Sequence, residues 1–305
     1  METIIGRETL KNKAALKKRK SFKLFIRRIG LSNWLLIIPA LLSCVPVLLL
    51  VTGSVMGRNE LRECLSPVFA DTGGYIRWKL MPDYPTFQNI TGLLLRTPQF
   101  FVLFWNSMRM TGSILVGQLL IAVPAAWAFA AYRFRFRKVL LACYIVLMLL
   151  PFQVTMLSNY LVLDSLKLMN TQAAVILPAV FSAFPVFVCY GGFGGIPAEL
   201  LEAARMDGAG ELWLFFRIGI PLGKGGILSA MTLGFLEYWN LMEQPLAFLE
   251  DQALWPLSLY LPEITWQQAG YAFAASAVTL IPAVFVFLMG QEHLEHGIVY
   301  AGLKG

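Results

Sequence analysis

The sequence predicts an all-α integral membrane protein with six transmembrane helices, and three observations carry that expectation. Of 305 residues, 57% are apolar or aromatic and only 14% are charged, against about 25% charged in an ordinary soluble chain. The mean hydropathy is +0.64, and the apolar residues fall in uninterrupted runs long enough to cross a ~30 Å hydrocarbon core. The basic residues, finally, are not spread over a surface but gathered at alternate connections between those runs.

Residues 1–30 read as a basic cytoplasmic tail. Ten of the 25 Lys and Arg lie in the first 28 residues, closing with Lys17, Lys18, Arg19, Lys20, Lys23, Arg27 and Arg28. A basic block directly before an apolar run anchors at the cytoplasmic face and meets anionic headgroups. Membrane topology therefore accounts for the net charge of +7 without nucleic acid. The length of the basic segment and of the run behind it argues against a secretory signal peptide.

Apolar runs at 31–57, 104–131, 139–162, 173–193, 226–249 and 270–291 are the expected spans. Lipid supplies no hydrogen bonds to the backbone, so each run must be helical, and the ten-residue alternation of a membrane barrel is absent. Pro39, Pro46, Pro124, Pro151, Pro178, Pro185 and Pro282 fall inside the runs and are expected as kinks. With the N-terminus inside, inner segments hold 18 Lys and Arg: the tail, Arg133–Lys138, residues 194–225 and Lys304. Outer segments hold six, namely Arg58, Arg62, Arg77, Lys79, Arg96 and Lys167. The positive-inside rule then places both termini in the cytoplasm and makes this a multi-pass cell-membrane protein. Residues 31–291 form the transmembrane domain and 292–305 a cytoplasmic C-terminal tail.

Cys44, Cys143 and Cys189 sit in apolar runs, and Cys64 stands alone in the first outer loop. No Cys-x-x-Cys pair occurs, so neither a disulfide framework nor a zinc site is indicated. Cys64 is expected to react with an impermeant thiol reagent from outside, provided its loop is not occluded. His293 and His296, with Glu292 and Glu295, lack a third ligand of suitable spacing and read as a solvated helix.

One connection is too long and too ordered for a linker. Residues 194–225 include Pro197-Ala198-Glu199-Leu200-Leu201-Glu202-Ala203-Ala204-Arg205-Met206-Asp207-Gly208-Ala209. Pro197 suits a first helical position, and Glu199 and Glu202 complement the positive end of the helix dipole. Leu200, Leu201, Ala203 and Ala204 are strong helix formers, and Gly208 suits a C-terminal stop. A helix of two to three turns on the cytoplasmic side is expected. An amphipathic helix lying on the membrane would carry Lys and Arg on its polar face; this one carries Glu199, Glu202, Asp207 and Glu211 against Arg205.

Glu202-Ala203-Ala204, Asp207-Gly208-Ala209 and Ile218-Gly219-Ile220-Pro221 together resemble the "EAA" loop of ABC-importer permeases. The likeness extends to Trp78–Thr86 with Asn89, Asn106-Ser107-Met108, Arg133–Arg137, Trp239-Asn240…Pro245-Leu246 and Gly297…Ala301–Gly305. It runs from about residue 31 to the end and is closest to the maltose-type second permease of carbohydrate importers. Leu241 stands where an acidic residue often follows Trp-Asn, and Gln291–His296 is acidic where relatives are usually basic.

The resemblance implies a type I ABC importer permease fold whose coupling helix docks on an ATPase through Glu202, Ala203, Ala204, Asp207, Gly208 and Pro221. It implies as partners a second homologous permease, two cytoplasmic ATPases using ATP and Mg, and an extracellular solute-binding protein. Gly219–Gly225 has neither the spacing nor the hydroxyl of a phosphate-binding loop, so the chain is expected to be no enzyme and to hold no cofactor or metal of its own. Two other readings compete: a permease for another solute class, and a self-sufficient secondary transporter or channel, which leaves the helix in 194–225 unexplained.

Ionisable residues within a span usually line a path or pair with each other. Glu237, Tyr238, Trp239, Asn240, Glu243 and Gln244 form such a cluster in the fifth run. Glu237, Asn240, Glu243 and Gln244 recur at i, i+3, i+6 and i+7, close to one helical face. That face is expected either on the translocation path or against the partner permease. Arg109 is expected to snorkel to the outer interface, and Gln118, Gln153 and Asn159 to bond between helices.

Overall fold

The computed structural model describes residues 31–69, 75–76, 78–260 and 268–302. The basic tail, Lys304 and Glu263 lie outside the described residues. The regular elements are helical: α1 (Leu31–Val55), α2 (Arg58–Phe69), α3 (Gln88–Arg96), α4 (Pro98–Ala131), α5 (Arg137–Leu149), α6 (Phe152–Ser165), α7 (Gln172–Val180) and α8 (Ala183–Phe193). Then follow α9 (Ala198–Met206), α10 (Glu211–Leu214), α11 (Ile220–Trp239), α12 (Glu243–Phe248) and α13 (Ala269–Gly302). Among the described residues, five stretches are long and apolar enough to span a membrane, and the pair α5 and α6 makes a sixth if counted as one bent span.

The expected third span, 139–162, is not straight. α5 and α6 meet at 102°. Pro151 precedes α6 at φ −67°, ψ 151°, and Leu150 before it is extended at ψ 121°. A residue before proline is driven out of the helical region by the ring, so the break falls where the sequence places it. The helix of the fourth span is interrupted at Phe181 and Ser182, the latter extended at ψ 141°, without the sharp bend of the third. Pro185 has no N–H to return to Phe181, which removes the bond that would carry the helix across. Pro39, Pro46, Pro124 and Pro282 are by contrast carried inside unbroken helices.

The fifth span is displaced from 226–249. Its helical course begins at Glu211 and ends at Trp239. Between α10 and α11 lies a π-helical turn, Phe215–Gly219, in which the Ile220 N–H reaches the Phe215 carbonyl. Pro221 has no N–H for the α-helical bond to Arg217, and the wider turn absorbs the defect. At the other end Pro245 cannot donate to Leu241, whose carbonyl instead accepts the Ser258 hydroxyl. The sixth helix runs on through 292–302.

The spans pack through small residues, as expected where lipid gives no hydrophobic drive between helices. α8 and α11 cross at Gly192 and Gly226, so closely that a Cβ on either would stand 2.7 Å from the other's Cα. One apolar cluster joins Ala122, Val123, Ala126 and Trp127 of α4 to Val186, Cys189 and Phe193 of α8 and Ile227 and Ala230 of α11. Leu201 of α9 and Leu214 of α10 belong to it, so the 194–225 segment is rooted in the core. A second cluster, toward the opposite end, joins Leu93, Phe100, Leu103, Trp239, Leu257, Ala274 and Ala275.

The region read as the first outer loop is folded rather than loose. Trp78 Nε1 donates to Thr52 Oγ1 at 3.2 Å, and its ring meets Phe273 edge-on. Asn89 Nδ2 caps the end of α1 by donating to the Ser54 and Met56 carbonyls. Cys64 lies in α2, buried at 3% exposure, so the condition set on its labelling from outside, an unoccluded loop, is not met. Burial also pushes its thiol above the ordinary range, which starves it of the reactive thiolate. In the solubilised chain a maleimide should therefore modify Cys64 at least about tenfold more slowly than a cysteine placed at Met81, which is 85% exposed. Equal rates would mean that α2 does not pack as described.

Candidate functional site

Two sites were expected, and they lie toward opposite ends of the bundle. The first is the 194–225 segment. Pro197 is the residue before the helix rather than its first turn: it is extended at ψ 133°, and α9 starts at Ala198. The helix stops as the sequence implies. Gly208 takes φ +83°, its N–H donates to the Arg205 carbonyl at 3.0 Å, and the Ala209 N–H reaches back to Ala204 at 3.0 Å. This paired closure is the Schellman arrangement, which needs a left-handed residue at its turn.

Leu201 faces inward and Ala204 is half-buried, whereas Glu202, Ala203, Met206, Asp207 and Gly208 are exposed. So are Leu200, Leu212, Trp213 and Phe216, with Met206 at 88% and Trp213 at 52%. A cleft of about 370 Å³ opens here between Ala204, Asp207–Gly210 and Trp213. Pro221 lies apart from it, at the start of α11 behind the π turn. The structure therefore gathers five of the six predicted docking residues on one turn and leaves Pro221 to shape the helix that follows.

The second site is the polar cluster of the fifth span, and here the expectation of one helical face is overturned. α11 ends at Trp239, with Asn240 as the residue that closes it, and a separate helix, α12, starts at Glu243, so Glu237 belongs to one helix and Glu243 and Gln244 to another. Tyr238 and Trp239 turn inward. Gln118 Nε2 donates to the Tyr238 hydroxyl at 3.0 Å and to the Ala179 carbonyl at 2.9 Å, tying the second, fourth and fifth spans beside the break after α7. Trp239 Nε1 donates to the Thr279 carbonyl of α13 at 3.1 Å and stacks on Phe235. Glu237, Asn240 and Glu243 remain exposed, and both Glu243 oxygens accept from Gln153 Nε2 of α6, at 2.9 and 3.0 Å. Arg109 reaches Gln172 Oε1 at 3.5 Å, at the start of the fourth span.

Sequence reasoning did not anticipate how Asn106 and Ser107 would act. Asn106 Nδ2 donates to the Ala253 and Trp255 carbonyls, and its Oδ1 accepts from Gln172. Ser107 Oγ accepts the Leu257 N–H at 2.7 Å. These bonds bring the 252–260 segment back against α4, where Trp239, Asn240, Leu257, Ser258 and Tyr260 border a cavity of about 460 Å³. Two polar residues opening an apolar run were the visible signal.

Bent and broken spans, polar groups at the breaks and a rooted helical segment beyond the bundle define a membrane permease. The chain belongs to the family described as "Binding-protein-dependent transport system inner membrane component", whose profile matches residues 118–300. It is 28% identical over 281 residues to the arabinooligosaccharides transport system permease protein AraQ of Halalkalibacterium halodurans, covering 90% of this chain and 97% of that one. It is 29% identical over 233 residues to the sn-glycerol-3-phosphate transport system permease protein UgpE of Salmonella typhi, covering 72% and 82%. Its fold matches a chain in the crystal structure of a bacterial ABC transporter involved in the import of the acidic polysaccharide alginate. There the TM-score is 0.71, the identity 23%, and the coverage 87% of this chain and 96% of that one. The family is a transport component and not an enzyme.

Proposed function

We propose that the chain is the permease subunit of an ATP-driven importer, forming half of the translocation pathway for a sugar or oligosaccharide. The observation that carries the coupling is α9, with its Schellman turn and the uncovered side chains of Leu200, Met206, Leu212 and Trp213 beside it. Apolar side chains left open next to a short acidic helix fit a protein partner, and the small Ala203 and Gly208 let that partner approach closely. Here the partner is a cytoplasmic ATPase that supplies ATP and Mg chemistry. Both chain termini lie on that cytoplasmic side. A second permease completes the pathway, and an extracellular solute-binding protein delivers the solute.

The sugar assignment draws on the arabinooligosaccharide and alginate systems among the related proteins. It is supported by the amide and carboxylate groups of Asn240, Glu243 and Gln153 on exposed surface at the breaks. Glu237 lies within the fifth span, where a carboxylate avoids lipid, and Asn240 and Glu243 follow at the end of that span; this surface faces the pathway, where hydroxyl-rich solutes meet hydrogen-bonding groups. ATP binding closes the ATPases, draws the coupling helices together and turns the pathway outward; hydrolysis resets it.

Vesicles holding the complete importer should accumulate a labelled pentose oligosaccharide only with ATP and the solute-binding protein. Vesicles holding this chain alone should accumulate none, and uptake by the chain alone would sink the reading. In the complete importer, Asn240→Ala and Glu243→Ala should lower uptake by about tenfold, a loss near 1.4 kcal/mol, with the complex still isolated intact. Loss of assembly with unchanged solute preference would instead put this surface at the boundary with the second permease.

A further inference from the structure

We propose that Glu211 is the positioning residue that gears the coupling helix to two of the spans. This rests on α9 being the helix that docks the ATPase. Glu211 Oε1 accepts Arg205 Nε at 3.0 Å, and Oε2 accepts Arg205 Nη2 at 3.3 Å. The same Oε2 accepts the Tyr132 hydroxyl at 2.9 Å. Arg205 lies in the last turn of α9, Tyr132 caps the end of α4, and Glu211 opens the helical course that continues through the π turn into α11. One carboxylate thus joins the coupling helix, the second span and the fifth span.

The chemistry suits a mechanical link. A guanidinium bound through two nitrogens to two carboxylate oxygens fixes orientation as well as distance. Only Asp207, Gly208, Ala209 and Gly210 otherwise lie between α9 and α10, and a segment with two glycines transmits force poorly. Glu211 is exposed and Arg205 and Tyr132 are only half-buried, so solvent screens the link and it adds little to folding. Leu201 and Leu214 root the segment in the core independently. Removing the link should therefore leave the segment folded while slackening its connection to the spans.

The test uses the complete importer in vesicles, with ATP turnover and uptake measured together. Glu211→Ala and Tyr132→Phe should co-purify with the ATPase at wild-type stoichiometry. Uptake per ATP hydrolysed should fall about fivefold or more, the low end of coupling between linked sites. Arg205→Glu should fail similarly, and Arg205→Glu combined with Glu211→Arg should recover part of the loss by restoring the pair in reverse. Wild-type uptake per ATP in Glu211→Ala would overturn the proposal. So would loss of ATPase association in that variant, which would make Glu211 a docking contact, or a double variant no better than the single ones. Failure of the docking reading itself would show differently: Glu202→Ala and Gly208→Val would then also leave ATPase association and uptake untouched.

Discussion

Gly226→Val is expected to remove most of the folded chain from the membrane. The Cβ it introduces would meet Gly192 Cα at 2.7 Å, Gly192 N at 3.1 Å and the Val188 carbonyl at 3.3 Å. All three are backbone atoms and cannot swing aside as a side-chain tip could. Forcing extra volume into a packed contact costs about 1–3 kcal/mol, and more where the backbone must move. Here it would part α8 from α11 and so disturb the cluster that roots the 194–225 segment. Gly225→Ala is the control, since a Cβ at that neighbouring position meets nothing within 4 Å. Solubilised variants run on a sizing column should show Gly225→Ala as a single sharp species and Gly226→Val as aggregate. A monodisperse Gly226→Val chain with unchanged thermal stability would mean that the fourth and fifth spans do not cross there.

The second large effect is expected at Gly208, where space is not the issue. A Cβ there also meets nothing within 4 Å, but φ is +83°. A β-branched residue in that region costs on the order of 1–3 kcal/mol, and the turn would open instead. Gly208→Val should insert normally yet weaken ATPase association by about tenfold. Gly208→Asn should keep most of it, because asparagine tolerates left-handed backbone. Glu202→Ala removes a charge exposed on the same surface; truncation of an interface hot spot commonly costs about 2 kcal/mol. Wild-type association, ATPase stimulation and uptake in both Gly208→Val and Glu202→Ala would exclude this turn as the coupling element.

The helix proposed for coupling, α9, was legible as a helix because its signals are local. Helix-forming residues lie between Pro197 and Gly208, and the structure moves the expected start by one residue. The breaks in the spans were less legible, because proline in an apolar run has two outcomes. Pro39, Pro46, Pro124 and Pro282 stay within helices, whereas the chain breaks at Pro151 and just before Pro245. At Pro245 the freed Leu241 carbonyl finds Ser258, seventeen residues away. Whether a freed carbonyl finds such a substitute depends on tertiary neighbours that periodicity does not reveal. The polar cluster was therefore found by composition and given the wrong geometry: a single helical face requires an unbroken helix, and this one ends at Trp239. Tyr132 and Glu211 were equally hidden, since 79 residues separate them. Whether Cys64 is occluded was left open by the sequence because α2 is amphipathic rather than apolar, so its buried face did not stand out.

The exposed carboxylate of Glu237 bears on the chain's life before assembly. A subunit newly released into the bilayer, with no second permease beside it, holds that group against acyl chains or strains to reach water. Insertion scales put a charged residue at the helix centre near 2.5–3.5 kcal/mol, and Glu237, two residues from the end of its span, bears a smaller cost. The penalty vanishes once the partner closes an aqueous path around the group. On the proposed pathway reading, the orphan subunit is consequently less stable in the bilayer than the assembled one.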